Sequence, residues 1–361
     1  LCGPPKEKVS QLSIIKPDGS LSGSAEDAAS TLADYWGPIM TEKPVSIALA
    51  KAAVANLIVT CPQDFCHIVS FEDFLQRISR LHDSGVGVDS LLYSCWQFCH
   101  PSAQEALYAC YISLLSSPLS DPNFLLSRLV FIQKGSEAHD GEGMCRRLPK
   151  KTRPLNLANT DCKIVSCLVS IALSGICAAC ITSRQAGGMK GFQMIDLIFE
   201  LEAKIFEFIV RKVPSSGIFA LDIAAAFPSL SRKYLFWVLK RMKIPAGLLK
   251  IIRSLHGDSS AFICFRNRLF RSILISTGVK QGDPPAMELF IIGYDPLIHF
   301  IDNALAPVDH LLLPFCDDLG CACTNVHTAW GIIVRCFIII EKISSLHLNN
   351  EKTQFLLTSP D

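Results

Sequence analysis

The sequence predicts an α+β fold in which short strands bring acidic groups to one sheet edge and apolar helices back them. Two apolar runs of strand length end on carboxylates: Ile218 to Leu221 leads into Asp222, and Leu312 to Phe315 leads into Asp317 and Asp318. Gly320 and a second run, Cys321 to Thr324, make the latter a hairpin with its acids at the tip. Elsewhere apolar residues recur at helical spacing, as in Phe71, Phe74, Leu75, Ile78 and Leu81. The 361 residues are 50% hydrophobic and 19% charged, which suits two or three domains with proper cores and excludes global disorder.

In chain order, residues 1–45 are rich in Gly, Ser, Pro and Asp and read as linker and turns, with a short helix from Ser24 to Ile39. The start, Leu1-Cys-Gly-Pro-Pro, has no initiator Met and no signal-peptide pattern, so a piece of a longer product is expected. Ser70 is placed to cap the Phe71 to Leu81 helix. The turn Ser84-Gly-Val-Gly-Val-Asp-Ser90 leads to helices around Leu91 to Phe98 and Ala103 to Leu115. Ile164 to Ile181 is uncharged and long enough to span a membrane, but Ser166, Ser170 and Ser174 at four-residue spacing favour a buried helix and no membrane contact.

Gln185-Ala-Gly-Gly188 lets backbone approach a bulky partner. The GxGxxG and GxxxxGK[ST] patterns are not met there, so dinucleotide and P-loop readings fail. A helix from Met194 to Arg211 precedes the Asp222 strand, and Ala261 to Phe265 with Leu269 to Ile275 make a hairpin whose tip carries Arg266 and Arg268. Asp283, followed by Pro284 and Pro285, reads as the cap of a helix running to about Asn303. A last apolar helix, Thr328 to Ser344, is followed by Lys352 on a turn and a strand, Phe355 to Leu357.

The net charge of +1 hides an asymmetry. Residues 1–140 carry 9 Lys and Arg against 15 Asp and Glu, whereas residues 141–361 carry 25 against 18, so the near-neutral total does not argue against a polyanionic partner for the second half. Two clusters stand out. Arg146, Arg147, Lys150, Lys151 and Arg153 fall within eight residues, a loop able to grip phosphates. Between Arg232 and Arg271 there are ten cations, among them Lys240, Arg241 and Lys243, and one acid, which points to a nucleic-acid backbone. The sixteen cysteines lie scattered in apolar segments and read as buried reduced thiols; Cys177-x-x-Cys180 has no second pair to complete a zinc site.

Adjacent carboxylates repel, and a fold that keeps them together usually holds a cation there. Two strands that each bring an acid to one edge can build a two-metal site for phosphoryl transfer. The ordered set Ser84 to Ser90, Arg153-Pro-Leu-Asn-Leu-Ala-Asn-Thr-Asp-Cys-Lys163, Gln185 to Gly188, Leu221-Asp-Ile-Ala-Ala-Ala-Phe227, Gly278-Val-Lys-Gln-Gly-Asp-Pro284, Phe315-Cys-Asp-Asp318 and Leu348-Asn-Asn-Glu-Lys-Thr353 resembles the reverse transcriptase domain of non-LTR (LINE-type) retrotransposons.

The resemblance implies a right-hand polymerase fold: an N-terminal extension or linker over residues 1–69, helical fingers over 70–215, and a palm with a small antiparallel sheet over 216–361, the thumb being absent. It implies RNA-directed DNA synthesis with two Mg²⁺, Mn²⁺ being able to substitute. Asp222, Asp317, Asp318 and the backbone carbonyl of Ile223 match the metal ligands, and Lys352 a proton donor to pyrophosphate. Phe227 matches a ribose filter, Gln281 and Gly282 the segment beside the nucleotide, and Arg153 a triphosphate contact. The implied partners are an RNA template, a DNA primer or target, dNTPs, and thumb and endonuclease parts of a parent polyprotein. The implied setting is an intracellular ribonucleoprotein in nucleus and cytoplasm. The sequence departs from the family at Val86, Val88, Ser90 and Pro228. A silent nucleic-acid-binding scaffold and an RNA-directed RNA polymerase remain as alternatives.

Overall fold

Alternating apolar residues assemble two separate four-stranded sheets. The computed structural model describes residues 11–137, 140, 144–181, 185–189 and 191–358. The readings made at residues 1–10 lie outside that set. The first elements are β1 (Gln11–Ile14), α1 (Ala25–Ile39), α2 (Ile47–Val54), α3 (Phe71–Ser79), α4 (Tyr93–Phe98) and α5 (Pro101–Leu114). Then come β2 (Ser127–Gln133), β3 (Met144–Arg147), β4 (Thr152–Ala158), α6 (Thr160–Cys180), α7 (Met194–Val210), β5 (Gly217–Asp222), α8 (Ala226–Ser229), α9 (Arg232–Arg241) and α10 (Ala246–Leu255). The last are β6 (Ser259–Phe265), β7 (Arg268–Ile275), α11 (Ala286–Leu305), β8 (His310–Phe315), β9 (Asp318–Cys323), α12 (Val326–Ser344) and β10 (Gln354–Leu357).

Local chemistry sets the boundaries. Ser24, Ser46, Ser70 and Ser231 each accept a hydrogen bond from the third amide of the helix they open, and Asn325 does the same for α12. The β6–β7 hairpin turns through Arg266 and Asn267, both at positive φ, as two-residue hairpin turns require.

One sheet has the order β10-β5-β9-β8 and is antiparallel throughout; the other has the order β4-β2-β6-β7, with β2 and β6 parallel. The larger core lies beneath the first sheet, where Leu221, Leu312 and Leu319 meet Phe290 of α11 and Ile333 and Ile340 of α12. Each such side chain contributes about 1.5–3 kcal/mol by leaving water. Most of α6 is buried in the same core, so the apolar run long enough to cross a membrane is a core helix in this fold.

Three expectations change. The stretch 1–69 is not simply an extension or linker: β1 pairs with β3, and Leu32 and Trp36 of α1, the helix expected from Ser24 to Ile39, pack on Leu129, Phe131 and Ile263 of the second sheet, giving it its own core. The region 70–215 is not purely helical, since β2 and β4 lie within it, and its helix α7 rests against β8 and β9 of the other sheet. Conversely β6 and β7, which fall inside 216–361, join β2 and β4. Hydrophobic pairing across the chain, and not contiguity, decides membership.

Candidate active site

The acids meet at one end of the antiparallel sheet. β5 ends on Asp222 and β9 begins on Asp318, and the two are cross-strand partners. Directly opposed residues of antiparallel strands project to the same face. Asp317 follows Cys316 in the two-residue turn between Phe315 and Asp318, and Cys316 takes a left-handed conformation with φ 57°. Burial and the negative charges of Asp317 and Asp222 push the Asp318 carboxyl above the usual range, against the pull of Lys352.

Both carboxylate oxygens of Asp222 are engaged. Lys352 Nζ donates to its Oδ1 at 3.0 Å and Asn349 Nδ2 donates to its Oδ2 at 2.7 Å. Asn349 N–H donates to the Asp222 carbonyl at 2.8 Å, beside an antiparallel bridge between Ile223 and Leu348. Among the described residues no three His, Cys, Asp or Glu side chains are grouped so as to hold a metal ion as they stand. The hard oxygen donors and crowded negative charge at this sheet end nevertheless fit a divalent cation of the Mg²⁺ type.

Cations face the acids from the second sheet. Lys134, just past the end of β2, is half-buried, and burial with the neighbouring Lys352, Arg153 and Lys151 pushes its ammonium below the ordinary range, Asp222 opposing. Exposed Arg153 lies on β4 opposite Ile132. Lys150 joins the two regions, its Nζ 3.0 Å from Glu351 Oε1.

Phe227 is half-buried on α8 and stacks on Phe290 with ring centroids 4.7 Å apart and planes 17° apart, while its carbonyl accepts from Val279 N–H at 2.9 Å. The loop carrying Gln281 and Gly282 docks on β4, where Asn156 N–H donates to the Gln281 carbonyl at 2.8 Å. At Gly282, φ is +100° and an added Cβ would lie 2.7 Å from Leu155 Cδ1 and 3.0 Å from Asn156 O, so a side chain is excluded.

Against known families, residues 132–360 match the model described as reverse transcriptase (RNA-dependent DNA polymerase), more than half of the chain. The chain belongs to the reverse transcriptase family. It is 25% identical over 238 residues, 64% of its length, to the transposon TX1 uncharacterized 149 kDa protein of Xenopus laevis, covering 17% of that protein. It is 30% identical over 109 residues, 28% of its length, to the retrovirus-related Pol polyprotein from type-1 retrotransposable element R2 of Popillia japonica, covering 18% of it. The chain thus spans under a fifth of the length of these relatives.

Two readings of this reverse transcriptase domain need correction. Arg147 is wholly buried and does not grip phosphate: its Nη1 and Nη2 pair with the Asp140 carboxylate at 2.5 and 2.6 Å. The alternation of β3 decides this, for Arg146 faces solvent and Arg147 the core. Asp283 does not cap α11, whose first residue is Ala286; its buried carboxylate lies 3.6 Å from His256 Nε2 instead. Lys151 is exposed. Lys240, Arg241 and Lys243 are exposed around the end of α9, Arg241 donating to the Ala55 carbonyl at 3.5 Å, and Arg266 and Arg268 occupy the β6–β7 tip. The buried Arg232, first of the ten cations, is spent on the carbonyls of Gly257, Ile275 and Gly278.

Asn349 and Lys134 were missed. Asn349 stands in the Leu348 to Thr353 motif, but the bond that makes it matter joins residues 127 apart. Lys134 was legible as the first cation after the apolar run of β2.

Proposed function

We propose that this domain carries out RNA-templated DNA synthesis, joining dNTPs to a primer 3′-hydroxyl, in a right-hand arrangement. The acid-bearing sheet with α11 and α12 serves as palm and the β4-β2-β6-β7 sheet as fingers. The convergence of Asp222, Asp317 and Asp318 on one sheet end carries the reading. These carboxylates, with the Ile223 carbonyl, would hold two Mg²⁺, or Mn²⁺ in their place. When bound, such ions lower the pKa of the 3′-hydroxyl and offset the charge of the triphosphate.

The chain's own groups supply the rest. Arg153, with Lys134 and Lys151 beside it, grips the triphosphate from the fingers side. Gln281 and Gly282 border the base and sugar, and the rigid Phe227 ring, backed by Phe290, crowds a 2′-hydroxyl. Lys352 leaves its contact with Asp222 and gives its proton to the departing pyrophosphate. Arg146, Lys150, Lys240, Arg241, Lys243, Arg266 and Arg268 are exposed and meet template and primer phosphates, Lys150 giving up Glu351 and Arg241 the Ala55 carbonyl to do so. The nucleic-acid partners, any thumb or endonuclease partner segments, and an intracellular ribonucleoprotein setting follow from the same reading.

Primer extension on an RNA template tests it: Asp222→Ala and Asp317→Ala should each abolish incorporation, and activity surviving either change refutes the assignment. Survival of dNTP incorporation with no discrimination against ribonucleotides would favour an RNA polymerase instead.

A further inference from the structure

Gln185 to Gly188 is a family motif that the chemistry above leaves without a task. Its bulky partner is the chain's own acidic turn. Gln185 is wholly buried, and both ends of its amide close on Cys316. Oε1 accepts from Cys316 N–H at 2.9 Å and Nε2 donates to the Cys316 carbonyl at 3.3 Å, while Oε1 also accepts from Gly187 N–H at 3.1 Å. Next to it, Ala186 N–H donates to the Pro314 carbonyl at 3.3 Å. A Cβ on Gly187 would stand 2.1 Å from Cys316 N and 2.7 Å from Phe315 C, so the two backbones touch only because no side chain intervenes.

The residue so clamped is the strained one. Cys316 at φ 57° costs about 1–2 kcal/mol for an L residue with a side chain, and such a conformation persists only where its surroundings over-determine it. It also directly precedes Asp317 in a two-residue turn, so its two peptide planes set the direction in which the Asp317 carboxylate leaves the sheet.

We infer that Gln185 is a positioning residue of the active site: its buried side-chain amide clamps both peptide groups of Cys316 and thereby aims Asp317 at the shared metal position. A generic buried glutamine would satisfy its two ends on unrelated neighbours. Here acceptor and donor are both spent on the residue before the acid. The inference rests on the proposed role of Asp317, and its test separates the two.

Mn²⁺ affinity by electron paramagnetic resonance and exchange of the Cys316 amide proton are measured together. Gln185→Met keeps the volume and removes the hydrogen bonds; Gln185→Asn keeps the amide on a shorter arm and guards against misfolding of the first. Each should lose about tenfold or more in Mn²⁺ affinity and exchange the Cys316 amide faster. Leu114→Ala, in the core on α5, should lower thermal stability and leave both readouts unchanged. Unchanged Mn²⁺ affinity in both Gln185 variants, while Asp317→Ala abolishes binding, overturns the inference alone. Full Mn²⁺ binding by Asp317→Ala overturns the functional reading and the inference with it.

Discussion

The two four-stranded sheets differ in what they do with charge. At the end of the β10-β5-β9-β8 sheet the acids stay at the surface and are braced from outside, Asp222 by Asn349 and Lys352 and the Asp317 turn by Gln185. Around the β4-β2-β6-β7 sheet the cations divide. Arg153 and Lys151 remain open toward solvent, whereas Arg147 and Arg232 are consumed by the fold. Burial of an ion is tolerated only when partners replace its water, so a charge already spent on a carboxylate or on three carbonyls is unavailable to a ligand. A count of charges therefore locates a polyanion site only after the buried ones are removed.

Asp222→Ala should lower incorporation by about a thousandfold or more, measured by primer extension, because the site loses its central oxygen donors. Loss of Arg147 sharpens the other side. Arg147→Ala leaves Asp140 without its bidentate partner and should cost about 3–5 kcal/mol in chemical unfolding, whereas exposed Arg146→Ala should leave stability alone and reduce the salt slope of RNA binding by about one.

A third test concerns Asp283, beneath the loop that presents Gln281. Burial, partly offset by Lys280, pushes its carboxyl from 3.8 up to about 6. The folded state thus keeps this proton to higher pH than the unfolded chain. Its stabilising effect is full below 3.8 and is lost as pH rises to about 6, a fall on the order of 3 kcal/mol. Asp283→Asn should remove that slope, read from urea unfolding at several pH values. The smallest effect is expected at Phe227: Phe227→Ala should raise ribonucleotide over deoxyribonucleotide incorporation roughly tenfold, since steric pockets discriminate by only a few kcal/mol.

Much of this was legible because it is local. Periodicity and capping gave α3 with Ser70 as its cap, and apolar runs ending in acids gave β5 and the β8–β9 hairpin. What escaped was decided at a distance. Residues 1–45 read as linker and turns around a short helix because Gly, Ser, Pro and Asp dominate them, yet Trp36 of that helix reaches Thr152 across 116 residues and completes a core. The alternation that buries Arg147 spans only four residues, too few to be told from a loop. Asp283 resembles a cap by composition, but the turn is closed by backbone, Ala286 N–H to the Asp283 carbonyl, and its side chain is buried 3.6 Å from His256 Nε2. No local pattern ties Gln185 to a turn 131 residues away.

On the proposed reading, carboxylates from two distant strands jointly hold divalent ions. Titration of Mn²⁺ into the chain, followed by electron paramagnetic resonance, addresses it without requiring template, primer or further domains. Saturable binding that is lost in Asp222→Ala and equally in Asp317→Ala is the predicted result. Binding that persists undiminished when both acids are replaced together would contradict it.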